Sequence, residues 1–216
     1  MNKLYAIGCS LTYGQALEDC WDPKFKQPTD KPSKFAWPQL LADKLGYECI
    51  NLSVPGASNK EILFILEKII NDIQNDDLLY IKWSFHDRHC VINNSVHNSL
   101  NEGCERVAQR SKKWKKWIRN FFTDEDGYWT SAHYIDYASV ILKEKNIKYF
   151  YLYADRDFPV QLNCKYSNFV KDGSINLIRY NYPPALDNLH PGPEAHKVFA
   201  ETIYENVKDL KNETTL

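Results

Sequence analysis

An α/β fold, a three-layer α/β/α sandwich around a mostly parallel sheet of about five strands, follows from two features of the chain. Short apolar runs alternate with segments whose apolar residues recur at helical spacing, and that alternation implies parallel pairing through right-handed crossover helices. At 216 residues the chain is long enough for one domain with a sizeable core and cramped for two. A single domain over 1–216 is therefore expected, with an inserted helical or loop segment around 88–128 where the alternation lapses.

The first strand is Leu4, Tyr5, Ala6 and Ile7, and it breaks at Gly8 into a turn carrying Ser10. Gln15 to Ser33 holds Pro23, Pro28 and Pro32 beside Trp21 and Phe25 and reads as a long loop. Because it starts next to Ser10, it is either a wall of a substrate pocket or an inserted surface loop. Phe35 to Leu45 has helical spacing and stops at Gly46, and Tyr47 to Leu52 is the second strand. After the Pro55-Gly56 turn, Ser58 or Asn59 caps a helix with Ile62, Ile65, Leu66, Ile69, Ile70 and Ile73 on one face. Asp77 to Trp83 is a third buried strand. The rhythm resumes with a helix over Trp129 to Lys145 and a fourth strand over Ile147 to Leu152. A short fifth strand is expected at Ile175 to Tyr180, and a helix over Pro191 to Leu210 closes the fold.

A net charge of −1 creates no global field that favours nucleic acid, and no specific nucleic-acid partner is expected. No apolar run approaches the roughly 18 residues that cross a bilayer, and no secretory signal is visible, so the expected location is cytoplasmic. The six cysteines lack C-x-x-C pairs and read as reduced thiols, not as a zinc site. Neither a metal nor an organic cofactor is called for. One segment carries local charge: in Arg106 to Phe122, Trp114, Trp117, Ile118, Phe121 and Phe122 share one helical face, ringed by lysines and arginines. Such a helix either contacts a membrane or another anionic surface weakly, or packs its aromatic face on the body as a lid.

Chemistry is suggested at the two ends of the chain. A serine at the carboxyl end of a strand in an open α/β sheet stands where ligands bind, next to free backbone N–H groups, and this makes Ser10 the candidate nucleophile. A serine there is equally a good helix cap. Asp187 and His190 lie three residues apart before the last helix and could act as orienting acid and general base. Their other reading is ordinary capping chemistry ahead of Pro191. His196, further along that helix, reads as structural.

Four blocks of the sequence, in order, resemble the SGNH (GDSL-type) family of serine esterases and acyl hydrolases. Gly8-Cys9-Ser10-Leu11-Thr12-Tyr13-Gly14 resembles the block usually written G-D-S-L-T-x-G, and Asp187-x-x-His190 is similar to the last block. Asn51 to Gly56 and Ser84-Phe85-His86-Asp87 fit the two middle blocks more loosely. The resemblance implies a flavodoxin-like sandwich of the SGNH-hydrolase type and a Ser10, His190, Asp187 triad acting through an acyl-enzyme. It also implies an oxyanion hole built from the Ser10 and Gly56 amides. A small acyl ester such as an acetylated sugar is the substrate class most readily implied, with lipid and thioester substrates behind it. The family's third oxyanion donor is an asparagine, and His86 stands in its place, with Asn59 as a substitute. Cys9 replaces the usual aspartate and reads as a buried small hydrophobe before a second nucleophile. These departures leave a binding module of weakened catalysis as the alternative. Oligomeric state is not legible.

Overall fold

The computed structural model describes residues 1–92, 104–106, 116, 120–154, 170 and 173–208. The main sheet comprises β1 (Lys3–Ile7), β4 (Glu48–Asn51), β5 (Leu78–Trp83) and β8 (Lys148–Tyr153), ordered β4-β1-β5-β8 and parallel throughout. In chain order this is second, first, third, fourth, so the direction of winding reverses between β1 and β5. Ligands of open parallel sheets bind outside the carboxyl ends of the strands at that reversal.

Side chains alternate across the sheet and so select the two outer layers. Tyr80 points to the face covered by α2 (Trp37–Leu45) and α5 (Pro193–Val207), where Trp37 meets both Tyr80 and Phe199 edge-on with ring centroids 6.0 and 5.6 Å apart. Trp83 and Tyr151 point the other way, toward α3 (Asn59–Ile69) and α4 (Asp124–Glu144), and Ser139 of α4 shares a 2.9 Å hydrogen bond with the Tyr151 hydroxyl. The apolar stripe of α3 (Ile62, Ile65, Leu66 and Ile69) is buried, each side chain contributing roughly 1.5–3 kcal/mol. Among the described residues no helix is long and apolar enough to cross a membrane.

The helix ends follow their local chemistry. Ser58 accepts the Glu61 N–H at the start of α3, and Gly46, at φ +74°, closes α2 with its N–H on the carbonyls of Ala42 and Asp43. Thr123 caps α4, and three acidic residues fill its first turn, so the helix begins at Asp124, ahead of the expected Trp129.

The expected fifth strand is absent from the described residues. Ile175–Leu177 and Arg179–Asn181 are single 3-10 turns. The outer edge of β8 is met instead by irregular backbone: Val170 donates to Tyr151 O and accepts from the Gly173 N–H, while Gly173 O accepts from Tyr153. Ser174 and Asn176 then spend their side chains on the Ala154 carbonyl, which bends the chain away from the sheet. In the 88–128 insertion, β6 (Cys90–Ile92) and β7 (Cys104–Arg106) pair antiparallel. The amphipathic segment expected at 106–122 lies almost wholly outside the described residues.

His196 ties the final helix to the sheet. It is 1% exposed, and its Nδ1 accepts the Trp37 backbone N–H at 3.2 Å. Burial lowers its pKa to about 3, and the nearby His190 and Lys82 push in the same direction. The unfolded chain binds a proton at this imidazole near pH 6.5, whereas the folded chain refuses it down to about 3. The stability it contributes is therefore full above about 6.5 and lost progressively as pH falls toward 3. A His196→Gln variant is expected to have a flatter stability curve across that window in urea titrations.

Candidate active site

Strand β1 ends at Gly8, where no side chain fits: a Cβ would stand 2.4 Å from Thr12 Oγ1 and 3.2 Å from Lys82 Cβ. The chain then turns into α1 (Ser10–Tyr13), with Cys9 in the N-cap position and its carbonyl accepting from Thr12 and Tyr13. Gly14, at φ +77°, stops α1 after one turn. Ser10 is 4% exposed, and its hydroxyl makes no hydrogen bond among the described residues. It does not cap α1.

The residues 184–191 form a tight turn before α5. Pro184 and Pro191 bridge its base, Ala185 donates to His190 O, and Asn188 takes φ +58° to complete it. Two contacts dock this turn on the segment that follows α1. Leu186 donates to Ala16 O at 3.0 Å, and Ala185 packs among Tyr13, Ala16, Leu17, Cys20 and Ala36.

Within the turn, Asp187 Oδ1 accepts the backbone N–H groups of Leu189 (2.9 Å) and His190 (3.0 Å), and Oδ2 accepts from His190 Nδ1 at 2.6 Å. Burial alone would raise the Asp187 carboxyl. The two N–H groups and the His190 ring outweigh it and hold the group below the usual carboxylate range. A carboxylate can only accept, so Nδ1 carries a proton, and in the neutral ring the lone pair is therefore on Nε2. That nitrogen makes no hydrogen bond among the described residues. In this arrangement the carboxylate fixes the ring, and a neutral imidazole can accept a proton at Nε2.

One groove is lined by Gln15, Trp21, Pro23, Lys26 and Leu186 to His190, and another by Tyr13, Pro28, Thr29, Asp30, Pro32 and Asn51 to Pro55. The loop over Gln15 to Ser33, with its hairpin β2 (Trp21–Asp22) and β3 (Gln27–Pro28), thus contributes to both. Gly56 closes a turn in which Ala57 donates to Val54 O, and Val54 in turn donates to Gly8 O. At φ +80° after Pro55 it fits a type II turn, and its own N–H stays unbonded among the described residues.

The two side chains expected as a third oxyanion donor have other partners. Asn59 is 2% exposed and spends both amide protons, on Ser84 O and Ser131 Oγ, while its carbonyl oxygen accepts the Ser84 N–H at 2.6 Å. His86 stacks on Tyr128 at 3.9 Å and donates Nε2–H to Asp124 Oδ1 at 3.1 Å. Its Nδ1 is buried without a partner among the described residues. The donors are thus engaged, those of Asn59 on Ser84 O and on Ser131 of α4, and the Nε2 of His86 on Asp124 of α4. Sequence reading also missed Asn51, whose Nδ2 donates to Thr12 O and fastens α1 to the end of β4. Among the described residues no group of three or more His, Cys, Asp or Glu could hold a metal ion.

No protein-family model and no curated protein matches the sequence. Solved structures do match in three dimensions. The psychrotrophic esterase EstA from a Pseudoalteromonas species superposes with a TM-score of 0.54 at 14% identity, covering 98% of this chain and 100% of that one. A protein assigned to the G-D-S-L lipolytic family from Desulfitobacterium hafniense gives 0.55 at 11% identity, with 95% and 99% covered. The chain has the fold of the G-D-S-L esterases and lipases. An acetyl xylan esterase from the rumen bacterium Butyrivibrio proteoclasticus matches at 0.56 and 11% identity, over 98% of this chain and 64% of that one. In this G-D-S-L fold the Gly8-to-Gly14 block forms the β1–α1 turn and the Asp187-to-His190 block the turn before α5.

Proposed function

We propose that the protein is a serine esterase that cleaves or transfers a small acyl group, such as acetyl, carried on a carbohydrate hydroxyl. The observation that carries this reading is the Asp187–His190 pair, with Nε2 free, on a turn docked to the backbone that follows Ser10. The fold it shares with esterases, an acetyl xylan esterase among them, supports the reaction class.

In the proposed reaction the Ser10 hydroxyl attacks the ester carbonyl carbon while His190 Nε2 takes its proton. Asp187 stabilises the imidazolium that results. The carbonyl oxygen becomes an oxyanion beside the Ser10 and Gly56 N–H groups. The intermediate collapses as His190 returns the proton to the departing alcohol, leaving an acyl group on Ser10. Water or a second alcohol, activated by the same imidazole, then releases it.

A chain-length series of p-nitrophenyl esters tests the substrate class. Turnover is expected to be fastest on acetate and to fall as the acyl chain lengthens; a rise with length would assign a lipid substrate. The engaged side chains of Asn59 and His86 favour a second reading, a binding module that has kept the pocket. A folded protein that neither turns over these esters nor reacts with a fluorophosphonate would select it.

A further inference from the structure

The carboxyl end of β5 buries an ammonium group that the proposed reaction does not use. Lys82 is 0% exposed, and its Nζ has no hydrogen-bond partner among the described residues. A charge held away from water without an acceptor is expensive, so such a group marks a place where something else is favoured.

Its position is specific. The register Ile7↔Ile81 sets Lys82 beside Gly8, and its Cβ lies 3.2 Å from where a Gly8 Cβ would stand. Thr12 Oγ1, also buried and unpartnered, lies 2.4 Å from the same point. The stem of Lys82 therefore passes against the turn that presents Ser10, at the reversal of the sheet. A second cation comes from the loop after β5, where Arg88 Nη1 donates to Ser84 Oγ at 3.0 Å. Both cations act on Cys9, the residue before Ser10.

The charged or titratable groups that face Lys82 are Cys9 on the β1–α1 turn, Arg88 on the following loop and His196 on α5. None is a carboxylate, and His196 is neutral because its Nδ1 accepts a backbone N–H; burial would raise the Cys9 thiol, but Lys82 and Arg88 outweigh it and hold that thiol below its usual range. The carboxyl end of β5 and the loop after it thus bring a buried and a half-buried cation against the turn that carries Ser10.

We propose that Lys82, assisted by Arg88, is a positioning residue for the oxyanion and that its buried charge takes over from the side-chain amide donor missing from this site. The inference rests on the reading of Ser10 as nucleophile. Before attack the ammonium has no hydrogen-bond acceptor and no carboxylate among the described residues, and only the Cys9 sulfur can oppose its charge. When the carbonyl oxygen acquires its negative charge at the Ser10 and Gly56 amides, the ammonium gains a counter-charge, and an interaction stronger in the transition state than in the ground state accelerates the step.

The test is Lys82→Met, which keeps the length of the stem and removes the charge. Replacing a buried charge by an apolar side chain of similar volume is tolerated, and a thermal melt verifies the fold. The expected result on p-nitrophenyl acetate at pH 7 is a fall in kcat of roughly 10- to 100-fold with KM changed by less than about threefold. Burial lowers the ammonium pKa to about 8, helped by Arg88 and opposed by Cys9. The parent kcat is therefore expected to decline as pH rises through about 8, and the variant is expected to lack that decline. A merely structural role would move the melting temperature and leave the alkaline limb in place. If the parent shows Ser10-dependent turnover and Lys82→Met keeps both its kcat and its alkaline limb, the inference falls and the reading of Ser10 stands. Absence of Ser10-dependent turnover in the parent sinks both. Should the variant not fold, the parent decides: a kcat level from pH 7 to about 10 overturns the inference, and a decline through about 8 supports it.

Discussion

Ser10→Ala is expected to lower kcat on p-nitrophenyl acetate by about 10⁵- to 10⁶-fold and to abolish fluorophosphonate labelling, with almost no change in stability. The two halves of that expectation have separate physical grounds. Loss of the nucleophile removes the acyl-enzyme path, and what survives is the water reaction helped by the remaining oxyanion donors. Stability is spared because the hydroxyl makes no hydrogen bond among the described residues and Cys9, not Ser10, occupies the N-cap of α1. Removing it leaves no orphaned partner, so the change should stay within about 0.5 kcal/mol. Had Ser10 been a cap, the variant would lose about 1 kcal/mol and keep its rate. Urea unfolding together with steady-state kinetics on one preparation separates these outcomes.

Asp187→Asn is expected to reduce kcat by about 10⁴-fold while KM stays close to the parent value. An amide placed where Oδ2 now lies would donate to His190 Nδ1, forcing the ring proton onto Nε2 and abolishing the base. The amide oxygen can still accept the N–H groups of Leu189 and His190, so the turn should keep its shape. The same variant makes a prediction about acid. The folded Asp187 carboxyl is held below its unfolded value of 3.8, so its contribution to stability is complete above that pH and disappears as pH falls through the lower folded value. The amide that replaces it has no such titration. The stability difference between parent and variant is expected to be largest near neutrality and to shrink below pH 4, as read from urea midpoints.

The parts of the molecule that could be read from the chain are those fixed by local pattern. Four strands and their helices are strongly periodic, and Asp187 and His190 meet because three residues of a tight turn separate them. Long-range partners decided the rest. Ser131 lies 72 residues beyond Asn59 and Asp124 lies 38 beyond His86, and no local spacing reveals that these two would consume the donors. Ile175 and Ile178 suit a strand or a helical turn equally well. The side chains of Ser174 and Asn176 on Ala154 O settled the matter. Lys82 sits in a run, Leu79 to Trp83, that reads simply as a strand, and only its burial marks it.

The docking of the 184–191 turn on Ala16 and its apolar neighbours also bears on synthesis. On the proposed reading, a chain still emerging from the ribosome carries Ser10 long before His190 has been made. Until that turn has seated on the part made before it, the nascent protein holds an alcohol with no proton acceptor and cannot deacylate anything in the cell.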